Sequence, residues 1–307
     1  MKTTVKTNSI STRSLAVILL AIFAGSSSLT TTTMNAQIQP SKSGYADVNG
    51  IHLYYGIYGS GKPLVLLHGG LGSTQMFEPD IELLSKERQV IAVDLQGHGR
   101  TADIDRPFSV EAMSEDIAGL LQFLKIPKAD VMGYSLGAGV ALQIAVRHPE
   151  LVNKLVLVSA ILRRNDFYPD ILAQQAQVGP AVAEQMKQTP MYQSYAKLNP
   201  RPQDWPRLLQ KMGEFMKKDF DYSDAVRQVK SPTLVVAGDA DIFPPKYAVR
   251  MFELLGGGLK DGGWDGSGQV ASKLAILPGV THYNMAMAPA LVPTAIAFLD
   301  APSAASK

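Results

Sequence analysis

The run VMGYSLGAGVALQIAVRHP, from Val131 to Pro149, sets Ser135 between Gly133 and Gly137, where a strand-like apolar stretch gives way to a helical pattern. A serine in a sharp strand-to-helix turn stands clear of the sheet and can act as a nucleophile, and the glycines let strand and helix cross closely. The plainer role is an N-cap for the following helix. A serine hydroxyl is a poor nucleophile. It needs a base, an acid that orients the base, and backbone donors for the oxyanion that attack creates.

Five histidines allow a search by elimination. His52 lies in an opening hairpin, and His148 ends the helix after Ser135, nearly ~20 Å along it. His68 and His98 sit in glycine loops ahead of Ser135. Only His282, in LPGVTHYNM, follows a late strand, from which a loop can swing an imidazole over the serine. TLVVAGDADIFPP ends another strand with two acids, Asp239 and Asp241. Asp241 is expected to accept the imidazole Nδ1 proton, and Asp239 to bond its own turn backbone. The expected oxyanion donors are the N–H of Leu136, at the start of a helix, and that of Gly70 in LLHGGLGS, with Leu71 as the alternative to Gly70.

Elements that can position these residues are visible along the chain. YADVNGIHLYY has two β-prone runs around Asn49-Gly50, a dipeptide suited to a tight hairpin. Then PLVLLHG, QVIAVDL, ADVMGYS, KLVLVSA, TLVVAGD and KLAILPG recur as buried strand-length runs, most of them separated by helical patterns such as Ser109 to Leu124 and Gly137 to His148. Such alternation indicates an α/β fold, with a mostly parallel sheet covered on both faces. Residues 161–230 break the alternation and read as a helical insertion. There Leu208, Leu209, Met212, Phe215, Met216 and Phe220 share a helical spacing behind Asp204, a candidate N-cap. GGGLKDGGWDGSG, Gly256 to Gly268, is too glycine-rich for an element interior and reads as a surface loop.

The chain has 307 residues, 46% of them hydrophobic, enough for a sizeable core. Charged residues make up 18% without a long run of one sign, which excludes a nucleic-acid stripe. Lys2, Lys6 and Arg13, then LAVILLAIFAG and a small polar stretch ending MNA, form the layout of a secretory signal over residues 1–36. Its apolar run is short for a membrane span, so no stable anchor is expected after cleavage. Export to the periplasm or medium follows, with no cysteine for a lipid anchor or disulfides. Removing the leader leaves 26 positive and 27 negative charges, so the basicity belongs to it.

With these motifs assembled, the chain resembles the α/β-hydrolase superfamily, most closely its capped serine esterase and proline iminopeptidase-like branch. LLHGGLGS, VDLQGHGRT, GYSLGAG, GDADIFPP and PGVTH occur in the family's order. The resemblance implies an eight-stranded sheet with its second strand antiparallel, a core over 37–160 and 231–302, a cap or lid over 161–230, and a disordered tail at 303–307. It further implies acyl transfer to water through Ser135, His282 and Asp241, with no cofactor and no metal. Many relatives carry glycine just before the base, where this chain has Thr281.

An ester is the expected small-molecule substrate. An aminopeptidase would need an acidic subsite for the substrate ammonium, and none is identifiable. An acyltransferase would use the same serine, and a noncatalytic binding protein would lack a triad member. Leu71, Tyr134, Phe167, Tyr168, Tyr192 and Phe215 are candidate pocket residues, although insertion aromatics more often form their own helices' core. Arg163 and Arg164 could meet a substrate carboxylate but read first as solvated surface. GIYGSGKP satisfies most of a phosphate loop, yet Pro63 stands where Ser or Thr must reach magnesium. No nucleic-acid partner is expected, and the sequence is silent on oligomeric state.

Overall fold

The computed structural model describes residues 38–302; the expected signal segment, 1–36, and the tail at 303–307 lie outside them. Eight strands form one sheet: β1 (Lys42–Val48), β2 (Ile51–Tyr58), β3 (Lys62–Leu67), β4 (Arg88–Val93), β5 (Ala129–Tyr134), β6 (Val152–Val158), β7 (Thr233–Ala240) and β8 (Lys273–Thr281). Their spatial order is β1-β2-β4-β3-β5-β6-β7-β8. β2 runs antiparallel to both neighbours, and every pairing from β4 to β8 is parallel. Asn49 and Gly50 take φ +47° and +78°, the left-handed pair that joins β1 to β2 in a two-residue hairpin.

The continuous apolar strands serve two cores at once, because alternate side chains point to opposite faces. On one face Val65, Leu67, Ile91, Val93, Val131, Leu155, Leu157 and Val235 pack in a single cluster. α2 (Val110–Phe123) and α3 (Leu136–Arg147) cover it. On the other, Leu64, Leu66, Val90, Ala92, Met132, Val156, Val158 and Val236 join Ile81, Leu84, Leu291 and Phe298. Those four come from α1 (Glu78–Leu84) and from the last helix, Leu291–Asp300. Burying each such side chain is worth about 1.5–3 kcal/mol, so a one-residue register slip, which would exchange the two sets, is strongly disfavoured.

Five helices follow β6: α4 (Pro169–Gln175), α5 (Ala183–Met186), α6 (Pro190–Leu198), α7 (Trp205–Lys217) and α8 (Ser223–Gln228). Trp205 is their centre: it is 1% exposed, donates from Nε1 to the Ala183 carbonyl at 3.1 Å, and meets the rings of Tyr192 and Tyr195. Two details differ from the sequence reading. Asp204 occupies the N-cap position of α7 without a side-chain cap bond, its carboxylate instead pairing with Arg201 at 3.2 Å. Phe220 lies beyond the end of α7, stacked on Tyr222. α9 (Lys246–Leu254) and α10 (Leu291–Asp300) complete the chain, and no regular element occupies Gly256–Gly268, where Trp264 is fully exposed.

Candidate active site

β5 delivers Ser135 and α3 departs from it. Ser135 takes φ +54° and ψ −114°, a strained conformation for a residue with a side chain. The surrounding packing enforces it. A Cβ on Gly133 would lie 2.1 Å from the Gly137 carbonyl oxygen, and one on Gly137 would lie 2.3 Å from that of Leu67. Both positions therefore have to be glycine for α3 to start against β5 and β3. Ser135 makes no side-chain cap bond to α3, which removes the plainer role. Its side chain is half-buried while Tyr134 and Leu136 on either side are buried.

The structure brings the base and acid candidates to this serine. His282 Nε2 lies 3.0 Å from Ser135 Oγ, and His282 Nδ1 lies 2.8 Å from Asp241 Oδ1. His282 is 8% exposed and Asp241 5%. Burial raises the Asp241 pKa, but the hydrogen bond and charge of His282, with bonds from Ser159 and the Ile242 N–H, outweigh it. The carboxyl is held below its ordinary value, and as an anion it fixes the imidazole with Nδ1–H toward itself and Nε2 free to accept the serine proton.

The other histidines are elsewhere. His52 sits on the hairpin beside Asp47, and His148 contacts Glu115. His68 is fully buried: Nδ1 donates to the Gly69 carbonyl at 2.7 Å and Nε2 accepts from the Leu95 N–H at 3.0 Å. It thereby ties the turn after β3 to the turn after β4. Burial pushes the His98 pKa down to about 3 and lowers that of His68, so both stay neutral structural groups. Asp239 has a different partner from the one expected. It accepts from the Gly279 N–H of β8 at 2.8 Å, bracing the strand that carries His282 rather than its own turn.

Thr281 also has a purpose in the base loop. Its N–H and hydroxyl both donate to Asn284 Oδ1, at 2.8 and 3.1 Å, closing the turn that holds His282. Glycine there would supply only the N–H.

The turn after β3 runs beside the nucleophile. A Cβ on Gly69 would stand 3.4 Å from that of Ser135, and the Gly72 N–H closes a turn onto the Gly69 carbonyl at 3.2 Å. Leu71, third in that turn, takes φ +58°, in the left-handed region. Leu136 is the first residue of α3, so its N–H has no intrahelical acceptor and points out of the helix end. Both expected donor segments therefore flank Ser135. Above Gly70 lies Met212 of α7: a Cβ on Gly70 would meet Met212 Cε at 2.8 Å, so the insertion reaches the oxyanion turn.

The expected pocket residues divide. Leu71, Phe167 and Phe215 are half-buried, and Tyr168 is 39% exposed, its N–H donating to the Ile242 carbonyl next to Asp241. Tyr192 packs edge-on against Trp205 inside the insertion. Tyr134 is a correction: it points into the second core beside Phe77, and its hydroxyl donates to the His282 carbonyl at 2.6 Å. Alternation along β5 puts its side chain on the opposite side of the strand from Gly133, where it is buried. Arg163 pairs with buried Asp166 at 2.8 Å, and Arg164 donates to the Met216 carbonyl at 3.2 Å. Ser159, absent from the sequence reading, donates to Asp241 Oδ2 at 2.6 Å. Nothing in its sequence context marks it, since the acid and its partner are 82 residues apart. Among the described residues no cluster of His, Cys, Asp and Glu has the arrangement of a metal site.

An eight-stranded sheet with one reversed strand, and a helix launched from a strained serine turn, defines the α/β-hydrolase class. The family model for the alpha/beta hydrolase fold matches residues 62–190, and the chain has the α/β-hydrolase fold. A Rhizobium rhizogenes protein named for carbamate hydrolysis, RutD, is 27% identical over 226 residues, 66% of this chain and 86% of that protein. A 2-hydroxymuconate semialdehyde hydrolase of a Pseudomonas species is 38% identical over 109 residues, 33% of this chain and only 38% of the relative. In structure the chain is similar to E-2-(acetamidomethylene)succinate hydrolase, with TM-score 0.67, 22% identity, and coverage of 85% of this chain and 99% of that one. It is also similar to a thermophilic esterase from Thermogutta terrifontis, with TM-score 0.65, 22% identity, and coverage of 84% and 98%.

Proposed function

We propose that the protein is a serine hydrolase that cleaves small or medium carboxylic esters through an acyl-enzyme. The observation that carries this reading is the hydrogen-bonded series Ser135 Oγ, His282 Nε2 and Nδ1, Asp241 Oδ1 at 3.0 and 2.8 Å, built on a strained turn. His282 takes the serine proton as Oγ attacks the carbonyl, and the Leu136 and Gly70 N–H groups meet the developing oxyanion. The imidazolium then protonates the leaving alcohol. A water, deprotonated by the same imidazole, releases the acid and restores Ser135.

An uncharged acyl group fits the surroundings best. Leu71 and Ile242, each one residue from a site residue, are half-buried and apolar. Arg163 and Arg164, the cations at the start of the insertion, are engaged by Asp166 and the Met216 carbonyl. We further infer that residues 1–36 direct export and that the insertion acts as a lid over the serine.

Labelling with a fluorophosphonate, with the adduct mapped by mass spectrometry, tests the mechanism; modification at any residue other than Ser135 defeats it. A panel of p-nitrophenyl esters of increasing acyl length, set beside an anionic succinyl monoester and an anilide, then tests the substrate class. Faster cleavage of the anilide would turn the reading to an amidase, and ester formation with an added alcohol outpacing hydrolysis would turn it to an acyltransferase.

A further inference from the structure

Only one oxygen of Asp241 faces His282. The other, Oδ2, accepts from Ser159 Oγ at 2.6 Å and lies 3.4 Å from the Gly238 N–H. Ser159 follows the last residue of β6, is fully buried, and takes φ +50° while its N–H donates to the Val236 carbonyl at 2.8 Å. Glycine would occupy that backbone conformation without strain, so the feature that a serine adds is the hydroxyl, and the hydroxyl is aimed at the acid.

We propose that Ser159 is a positioning residue of the proton relay: its hydroxyl holds Asp241 turned so that Oδ1 faces the imidazole, and it shares the negative charge of the carboxylate. The inference rests on the hydrolase reading above. Ser159 bonds neither Ser135 nor His282, and it acts through Asp241 alone.

The physical need is specific. A buried carboxylate whose second oxygen keeps only the long bond to the Gly238 N–H, at 3.4 Å, is free to rotate, and the imidazole it orients then loses its fixed aim at Ser135. The groups around Asp241 are few: His282 from the β8 loop, the Ile242 and Gly238 N–H groups of its own loop and strand, and Ser159 from β6. The phenols of Tyr134 and Tyr283 are the further titratable neighbours, and both stay neutral through the working range because burial raises them. Among the described residues Ser159 is thus the one side-chain donor besides His282 that bonds Asp241. Without it, negative charge concentrates on Oδ1 and favours the imidazolium, so the acidic limb of activity moves to higher pH.

The test compares Ser159→Ala and Ser159→Gly with the wild type on p-nitrophenyl acetate. Both variants are expected to lose about 10-fold in kcat with KM changed by less than about 2-fold, and to shift the acidic limb of kcat/KM upward by about half a unit or more. Ser159→Gly, freed of the strained φ, should melt no lower than Ser159→Ala while losing the same activity, which separates relay from folding. In an Asp241→Ala background, removing the hydroxyl should change kcat by less than about 2-fold, since the group it acts through is gone. Wild-type kcat and an unmoved pH limb in Ser159→Ala would overturn the inference, as would an undiminished loss in the Asp241→Ala background. Fluorophosphonate labelling keeps the two readings apart. A Ser135 adduct beside an indifferent Ser159→Ala removes this role alone, whereas no Ser135 adduct in the wild type overturns the hydrolase reading and this inference with it.

Discussion

The Tyr134 hydroxyl donates to the main-chain carbonyl of His282 at 2.6 Å, so the residue just before the nucleophile also holds the residue that bears the base. Their rings lie 5.1 Å apart. Burial raises the Tyr134 pKa well above its ordinary value, which keeps the phenol protonated as a donor at any working pH. Tyr134→Phe retains the packing and strands a buried carbonyl. It should lower stability by about 1–2 kcal/mol and kcat by several-fold, with KM little changed. Urea denaturation paired with steady-state kinetics checks both, and a variant with full kcat would show that the loop holds its shape without this bond.

Substitutions at Ser135 should separate chemistry from strain. Ser135→Ala is expected to lower kcat by about 10³-fold or more while leaving the fold intact, since oxyanion binding alone is a weak catalyst. Ser135→Gly should be equally inactive but more stable than Ser135→Ala by about 1 kcal/mol, because only glycine adopts φ +54° without penalty. Thermal unfolding of the pair measures the difference. Equal melting points would mean that the elbow is not strained.

An imidazole that acts as base must be unprotonated. Activity on an uncharged ester should therefore fall on acidification, with one proton taken up. A kcat/KM profile flat from pH 5 to 8 would remove His282 from the mechanism.

The large features of the molecule were legible because they are local. Buried strand-length runs, helical spacings, Asn49-Gly50 and the glycines around Ser135 each announce a backbone geometry without help from distant residues. The approach of residues 135, 241 and 282 followed from chain order and elimination. What the sequence did not disclose depends on contacts between remote segments. Ser159 meets Asp241 across two strands, Asp239 serves β8 rather than its own turn, and Thr281 closes a turn with Asn284. Tyr134 was misplaced for a related reason: residue type suggested a pocket wall, whereas its position in β5 turns it into the core. Insertion aromatics are ambiguous in the same way, since a ring against Trp205 and a ring against a substrate have the same sequence signature.

Asp80 carries an opposite pH signature to Asp241. It is 5% exposed in α1, its Oδ2 has no protein partner, and burial raises its pKa from 3.8 to about 7. With the folded pKa above the unfolded one, the folded state binds the extra proton, so stability falls as pH rises from about 4 to 7 and levels off above. Asp80→Asn should remove that slope, raising stability at pH 8 by about 2–4 kcal/mol and changing it little at pH 4. Denaturant titrations at the two pH values decide it; a gain of equal size at both would mean that Asp80 is already neutral at pH 8.

The insertion is fastened to the core by Asp103. Its buried carboxylate receives Gln96 Nε2 at 2.9 Å, Arg207 Nε at 2.7 Å and Lys211 Nζ at 2.7 Å, the last two from α7. Asn199, just past the end of α6, adds a bond to the Gly99 carbonyl at 3.0 Å. Lys211 immediately precedes Met212, which rests on Gly70, so this clasp and the contact with the turn after β3 share one helix. Asp103→Ala leaves the largely buried Lys211 ammonium without its counter-charge. Because Arg207 is 45% exposed and keeps water, the expected loss is about 2 kcal/mol rather than the 3–5 typical of a fully buried pair. Asp105, exposed and paired with Arg207, is the control: Asp105→Ala should stay within about 0.5 kcal/mol of wild type. Limited proteolysis should cut Asp103→Ala faster within residues 161–230 while the sheet resists, because the insertion can then open without the core unfolding. Simultaneous loss of both parts at one rate would show instead that insertion and core unfold as one unit.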